Sequence, residues 1–161
     1  MNLFRSIKRV VNSTVVGGIH FITPMSLVNV GKRLLHKDFM EAFSASMALI
    51  VTADGAYDYD EKEKIKAYID KIKIVGGFSS EQVLPNIQLY VDILLVNRRI
   101  GTDRVHQRLH RIRRDADYCD TIVLTCIDIA KTDGEFVQLE KDVIYNICEK
   151  LHLDIKKYNL Q

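Results

Sequence analysis

One stretch of this chain is written twice. Asp54 to Ile65 reads DGAYDYDEKEKI, and Asp133 to Ile144 reads DGEFVQLEKDVI. Both are Asp-Gly, a five-residue interval, Glu-Lys, two residues and Ile, and the offset of 79 residues holds without a gap from Asp38/Asp117 to Lys71/Lys150. Eight of the 35 aligned pairs between 38 and 72 are identical, where composition alone would give about two. A duplication of this kind binds two halves of a chain to one local structure, because each copy presents the same pattern of apolar and polar positions. The expected units are residues 38–72 and 117–151, inside one domain spanning 1–161.

That local structure is helix, loop, helix. Phe39, Phe43, Met47 and Ile50 recur at helical spacing over about 38–53, a stripe that belongs in a core. Asp54-Gly55 ends the helix, since glycine accepts the left-handed conformation that closes one. Asp58-x-x-Glu61 then reads as a capping box for a helix of about 59–74, and Gly76-Gly77 breaks it. The second copy predicts helices of about 116–131 and 137–151, with a short turn near Asp154 to Tyr158. Between the copies, Ser79/Ser80 open a helix to about Asn97, with Leu84, Ile87, Val91, Leu94 and Leu95 facing inward and Pro85 kinking its first turns. Gly101-Thr102-Asp103 restarts the chain into a stripe of Val105, Leu109 and Ile112. Ahead of the first copy, Thr23-Pro24 starts a helix of about 24–36. Phe4, Ile7 and Val11 mark a cationic amphipathic helix over 2–12, fit to cap the core or to make peripheral contact with an anionic membrane surface. With only two prolines in 161 residues and no alternating pattern, the expected fold is all-α. It is a compact bundle of seven to eight helices with a pseudo-twofold between the repeated units.

The net charge of +2 conceals a separation. Residues 1–37 carry six Lys/Arg and no acid, and residues 98–114 carry seven Arg against one Asp, so the acids concentrate elsewhere. Such a surface suits partners of both signs. Cys119, Cys126 and Cys148 have no metal-ligand spacing and read as buried thiols of a reducing compartment. No apolar run reaches transmembrane length and the N-terminus makes a poor signal peptide, so the expected location is cytoplasmic.

The repeated loops carry the chemistry. Gly followed by five residues and Glu matches the second half of an EF-hand loop, but its first and third ligand positions would fall on Ile50 and Thr52, or Ile129 and Lys131. Neither loop alone should hold calcium well. If the loops meet, Asp54, Glu61, Asp133 and Glu140 could share a divalent cation, with Asp58 and Asp60 nearby. An all-oxygen set favours Ca²⁺ or Mg²⁺. The plainer reading makes Asp-Gly a helix terminator and leaves Glu61 and Glu140 in first turns that the helix dipole favours, with Lys62 and Lys141 offsetting the charge.

Elsewhere the signals are weaker. His106 and His110 lie one turn apart, but the surrounding arginines oppose a metal. Arg104, Arg108 and Arg111 form a charged stripe that reads as a solvated face, or as a site for an anion or acidic partner. Nucleic acid lacks a recognition motif and stacking aromatics to go with them. No nucleophile–base pair is apparent, Ser44 and Ser46 lying within apolar helix, so the chain is not expected to be an enzyme.

With both loops in view, TADGAYDYDEKEKI and AKTDGEFVQLEKDVI resemble the paired acidic motifs of the TerB family of tellurite-resistance proteins, and MNLFRSIKRV is similar to that family's opening. The likeness covers nearly the whole chain except 76–114. It implies a cytoplasmic, all-helical, non-enzymatic protein of tellurite resistance and chemical-stress response, an adaptor with an acidic surface for a metal or partner at Asp54, Glu61, Asp133 and Glu140. It further implies association with a TerC-type integral membrane protein at the inner face of the membrane. Some relatives fuse this domain to a J-domain, which is not present here. The alternative is an anion- or nucleic-acid-binding module built on the arginine helix 98–114.

Overall fold

A computed structural model describes residue 33 and residues 36–76, 80–132, 134 and 136–160. Among these residues the chain is all-α. Six helices follow in order: α1 (Lys37–Val51), α2 (Tyr59–Gly76), α3 (Ser80–Val96), α4 (Arg98–Ile112), α5 (Ala116–Ala130) and α6 (Gln138–Leu151), then a 3₁₀ turn, Ile155–Tyr158. The helices expected over 2–12 and 24–36 lie outside the described residues, apart from helical Arg33.

The first helix is the axle. Phe39, Phe43 and Met47 are fully buried, and so are Ala42, Ser44, Ala45, Ser46 and Ala48 on the other faces. A helix apolar or small all the way round is one that other helices surround. α1 packs against α3, α4, α5 and α6, while α2 lies on α3 and α5. The small residues let neighbours approach closely, and Ser46 satisfies its hydroxyl within the helix by donating to the Ala42 carbonyl at 2.8 Å. The equivalent helix of the second copy, α5, is buried in the same way through Ile122, Val123, Cys126 and Ile129. All three cysteines are free and buried. Burial pushes the Cys119 thiol up to about 11 and the Cys148 thiol to about 12, which leaves them protonated and chemically quiet.

Two details depart from the sequence expectation. The break between α3 and α4 is at Asn97, whose side chain caps α4 by accepting from Ile100 N at 3.1 Å, so Gly101 lies inside the helix. Glycine is there for packing: a Cβ at this position would stand 2.9 Å from Leu94 Cα and 2.7 Å from Leu94 Cδ2. Leu95, expected to face inward, is 45% exposed, because the inward stripe of α3 runs through Val83, Ile87, Val91 and Leu94. Pro85 does sit inside α3.

The tail is pinned to α5 through Asp120. Its carboxylate accepts from the Tyr158 hydroxyl and pairs with Lys157 Nζ at 2.5 Å. Burial works against the charged form, but these two donors outweigh it and hold the Asp120 carboxyl below its ordinary value.

Replacing Gly101 by Ala sets a gain in helix propensity of about 1 kcal/mol against overpacking worth about 1–3 kcal/mol. Backbone as well as side chain of Leu94 is in the way, so the clash should win. Urea unfolding is expected to show Gly101→Ala destabilised, whereas the same change at an open helical site would stabilise.

Candidate functional site

The two Asp-Gly loops are built alike, hydrogen bond by hydrogen bond. In the first, Thr52 N donates to Ala48 O at 3.2 Å, Ala53 N to Ile50 O at 3.1 Å and Gly55 N to Thr52 O at 3.0 Å. In the second, Lys131 N donates to Ile127 O at 3.1 Å, Thr132 N to Ile129 O at 3.1 Å and Gly134 N to Lys131 O at 3.1 Å. Gly55 and Gly134 have φ of +87° and +84°, left-handed values that strain any residue with a Cβ. Behind each glycine an aromatic folds back, Tyr57 or Phe136, and packs partly buried against the core.

The carboxylates of the first loop point to solvent but have local duties. Asp54 is exposed and its Oδ1 accepts from Ala56 N at 2.9 Å, closing the turn on itself. Asp58 Oδ1 accepts from Glu61 N at 2.9 Å and so caps α2. Glu61, half-buried, pairs with Lys64 Nζ at 3.2 Å. In the second copy Val137 replaces the Asp58 cap, and the work passes to Glu140, whose Oε2 accepts from Val137 N at 3.2 Å. Asp58 thus caps α2 through its side chain, and Glu140 caps α6 by reaching back to the Val137 N–H. These contacts are those of the plainer reading, helix termination and capping. An ionised carboxylate nonetheless has about four acceptor positions, so the single hydrogen bond accepted by exposed Asp54, and that accepted by exposed Asp58, leaves oxygen capacity facing solvent.

Asp133 lies outside the described residues, and the four-carboxylate set as a whole therefore does too. Among the described residues no three His, Cys, Asp or Glu side chains gather as metal ligands.

Two neighbours of the loops escaped sequence reasoning. Arg98, the first residue of α4, reaches the end of α1. Its Nη1 donates to the Thr52 carbonyl and to Thr52 Oγ1, the latter at 2.8 Å, and Thr52 Oγ1 in turn donates to Ala48 O at 2.7 Å. Burial lowers the Arg98 pKa and the nearby Asp54 carboxylate opposes the shift. In the second loop Lys131 occupies the Thr52 position. Lys131 and Lys141 Nζ lie 5.4 and 5.2 Å from the centroid of the Phe136 ring, in cation–π range. The other neighbour is Asp128 on α5, whose carboxyl burial raises to about 6 although Lys71 and Lys131 pull it back. An aspartate where the first copy has Leu49 was the available signal.

The arginine helix is less free than its composition suggests. Arg108 Nη1 lies 2.7 Å from Glu41 Oε2, off-axis for a hydrogen bond, so the attraction is coulombic, while Arg108 Nε donates to the Tyr90 hydroxyl at 2.8 Å. Arg111 faces Glu41 at 3.5 Å and Asp38 at 3.7 Å. Arg104 is exposed and has no ion-pair partner among the described residues. His106 Nε2 sits 2.6 Å from Asn146 Oδ1 and tethers α4 to α6.

Gly55→Ala and Gly134→Ala should each cost about 1–2 kcal/mol. Nothing lies within 4 Å of either added Cβ, so the loss is of backbone origin, and Gly→Asn should recover part of it in thermal unfolding. Asp128 gives a pH signature. Its folded pKa of about 6 exceeds the ordinary 3.8, so the native state holds the proton more tightly and the residue's contribution to stability falls as pH rises through that window. Asp128→Asn should therefore stabilise relative to wild type near about pH 7 and lose that advantage near about pH 4. Parallel urea curves at the two values check it.

No significant match was found among curated proteins or among solved structures. A protein-family model does match, that of the tellurite resistance protein TerB, over residues 40–160. The match runs from the first turn of α1 to the end of the described tail and takes in both Asp-Gly loops and the arginine helix between them. On that coverage, well over half of the sequence, the chain belongs to the TerB family.

Proposed function

We propose that this chain is a non-enzymatic adaptor of tellurite resistance and chemical-stress response, and that its paired acidic loops, through Asp54, Glu61, Asp133 and Glu140, bind a divalent cation or a basic partner. The observation that supports it most is the matched loop geometry. Both turns close through left-handed glycines, and the Asp54 and Asp58 carboxylates of the first stand in solvent. Nothing in helix termination alone requires two such turns to carry the same Asp-Gly-x₅-Glu spacing. Oxygen donors of this kind take Ca²⁺ or Mg²⁺. Neutralising clustered carboxylates would steady the loops and the ends of α1, α2, α5 and α6, altering a docking surface by population shift.

In this reading a pseudo-twofold relates the two helix–loop–helix units, and the amphipathic stretches 2–12 and 24–36 complete a bundle of eight helices. The resemblance adds a TerC-type integral membrane partner and a place at the inner face of the cell membrane. Among the described residues no helix is long and apolar enough to cross a membrane, so membrane contact would be peripheral or through that partner. The alternative, an anion- or nucleic-acid-binding module on Arg104, Arg108 and Arg111, has less support, since Arg108 and Arg111 already face Glu41 and Asp38.

Calorimetric titration of the full chain with Ca²⁺ and with Mg²⁺ tests the cation. Binding should appear below about millimolar metal, the weak end of natural calcium sites. The double variant Asp54→Asn/Asp133→Asn should keep its helical circular dichroism and lose that heat. Unchanged affinity in the variant, or no heat from the wild type at millimolar metal, rejects the cation site.

A further inference from the structure

α3 carries a second apolar stripe. Its inner face, Val83, Ile87, Val91 and Leu94, belongs to the core. Leu89, Ile93 and Val96 follow one another at i, i+4 and i+7 on another face. Leu89 is 54% and Val96 87% exposed, and Ile100 at the start of α4 adds a further 43%-exposed side chain. Between the two helices runs a groove of about 520 Å³ whose lining includes Leu89, Ile93, Ile100, Asp103, Arg104 and Arg108. The close crossing at Gly101 sets its shape, since α3 and α4 nearly touch there.

From this surface we infer a docking groove for an acidic amphipathic helix of a partner protein. The apolar half of the reasoning is spacing: aliphatic side chains one turn apart beside a concave channel accept the i, i+4, i+7 face of another helix. The charged half selects the partner's sign. Of the five arginines of α4, Arg98, Arg108 and Arg111 are engaged by Thr52, Glu41 and Asp38, which leaves exposed Arg99 and Arg104 against the helix's one acid, Asp103, itself in the groove lining. Of the two arginines lining the groove, Arg108 is held in place by Glu41 and Tyr90, and exposed Arg104 has no ion-pair partner among the described residues. A helix with Glu or Asp flanking its apolar stripe would pair with Arg104 while its aliphatic residues cover Leu89, Ile93 and Ile100. This chain's own amphipathic stretch does not suit the place: residues 2–12 carry Arg5, Lys8 and Arg9 and no acid, and would set like charge against like. A flat anionic bilayer would reach the rims of the groove but not its floor. The groove's lining shares no residue with the acidic loops, so peptide binding at α3 and α4 and metal binding at the loops are read out separately.

The test uses the full chain and two labelled helical peptides with the same leucine stripe, one flanked by Glu and the other by Lys. Fluorescence anisotropy should show the Glu peptide bound at least about tenfold more tightly than the Lys peptide, with affinity falling as salt screens the pairing. Amide shifts in a nitrogen-15 spectrum should map to α3 and α4. Arg104→Glu should invert the preference between the peptides, and Leu89→Ser should weaken both without changing the circular dichroism. The inference fails if neither peptide binds at about millimolar concentration, if both bind equally, or if the shifts map elsewhere. It also fails if phosphatidylserine vesicles bind through the same residues while the peptides do not, or if binding appears only after residues 1–32 are removed.

Discussion

Everything in this structure depends on α1 being buried on every face from Ala42 to Val51. A helix buried on all sides cannot choose its neighbours by one stripe; it needs four partners, and their placement fixes the bundle. Phe39, Phe43 and Met47 supply bulk, and the alanines and serines between them set how closely α3, α4, α5 and α6 can come. With interiors packed to crystal-like density, the end of such a helix is a fixed point. The first Asp-Gly loop starts there, and the second starts from the end of α5, which is buried almost as fully.

Much of this was legible in the sequence. The stripe Phe39, Phe43, Met47, Ile50 and the helix-closing role of Asp54-Gly55 followed from spacing and from what glycine permits, and the structure places each as expected. The duplication told that the loops would be twins, and their backbone hydrogen bonds are. What escaped were matters of contact between segments distant in sequence. Gly101 reads as a breaker because glycine usually is one; only the approach of Leu94 shows it to be a spacer. Leu95 reads as core because α3 has apolar residues on more than one face and periodicity alone does not say which face turns in.

The candidate site was legible in its residues and not in its connections. Asp54, Glu61 and Glu140 fall where the spacing puts them, at the loop and in the first helical turns. That Asp58 caps one copy and Glu140 the other could have been read from Val137, whose side chain has no acceptor to offer. The charge runs misled in a different way. A series of arginines looks like a free cationic face until its acids are found, and here Asp38 and Glu41 come from another helix.

Arg98 draws these threads into a mechanical statement. Its guanidinium fastens the opening turn of α4 to the Thr52 carbonyl, the same oxygen that receives Gly55 N. The first acidic turn and the start of the arginine helix therefore meet at one carbonyl oxygen. Among the described residues the second turn, propped by its own lysines around Phe136, shows no such linkage. Duplication made the elbows alike; the Arg98 tether is what sets the first apart from the second.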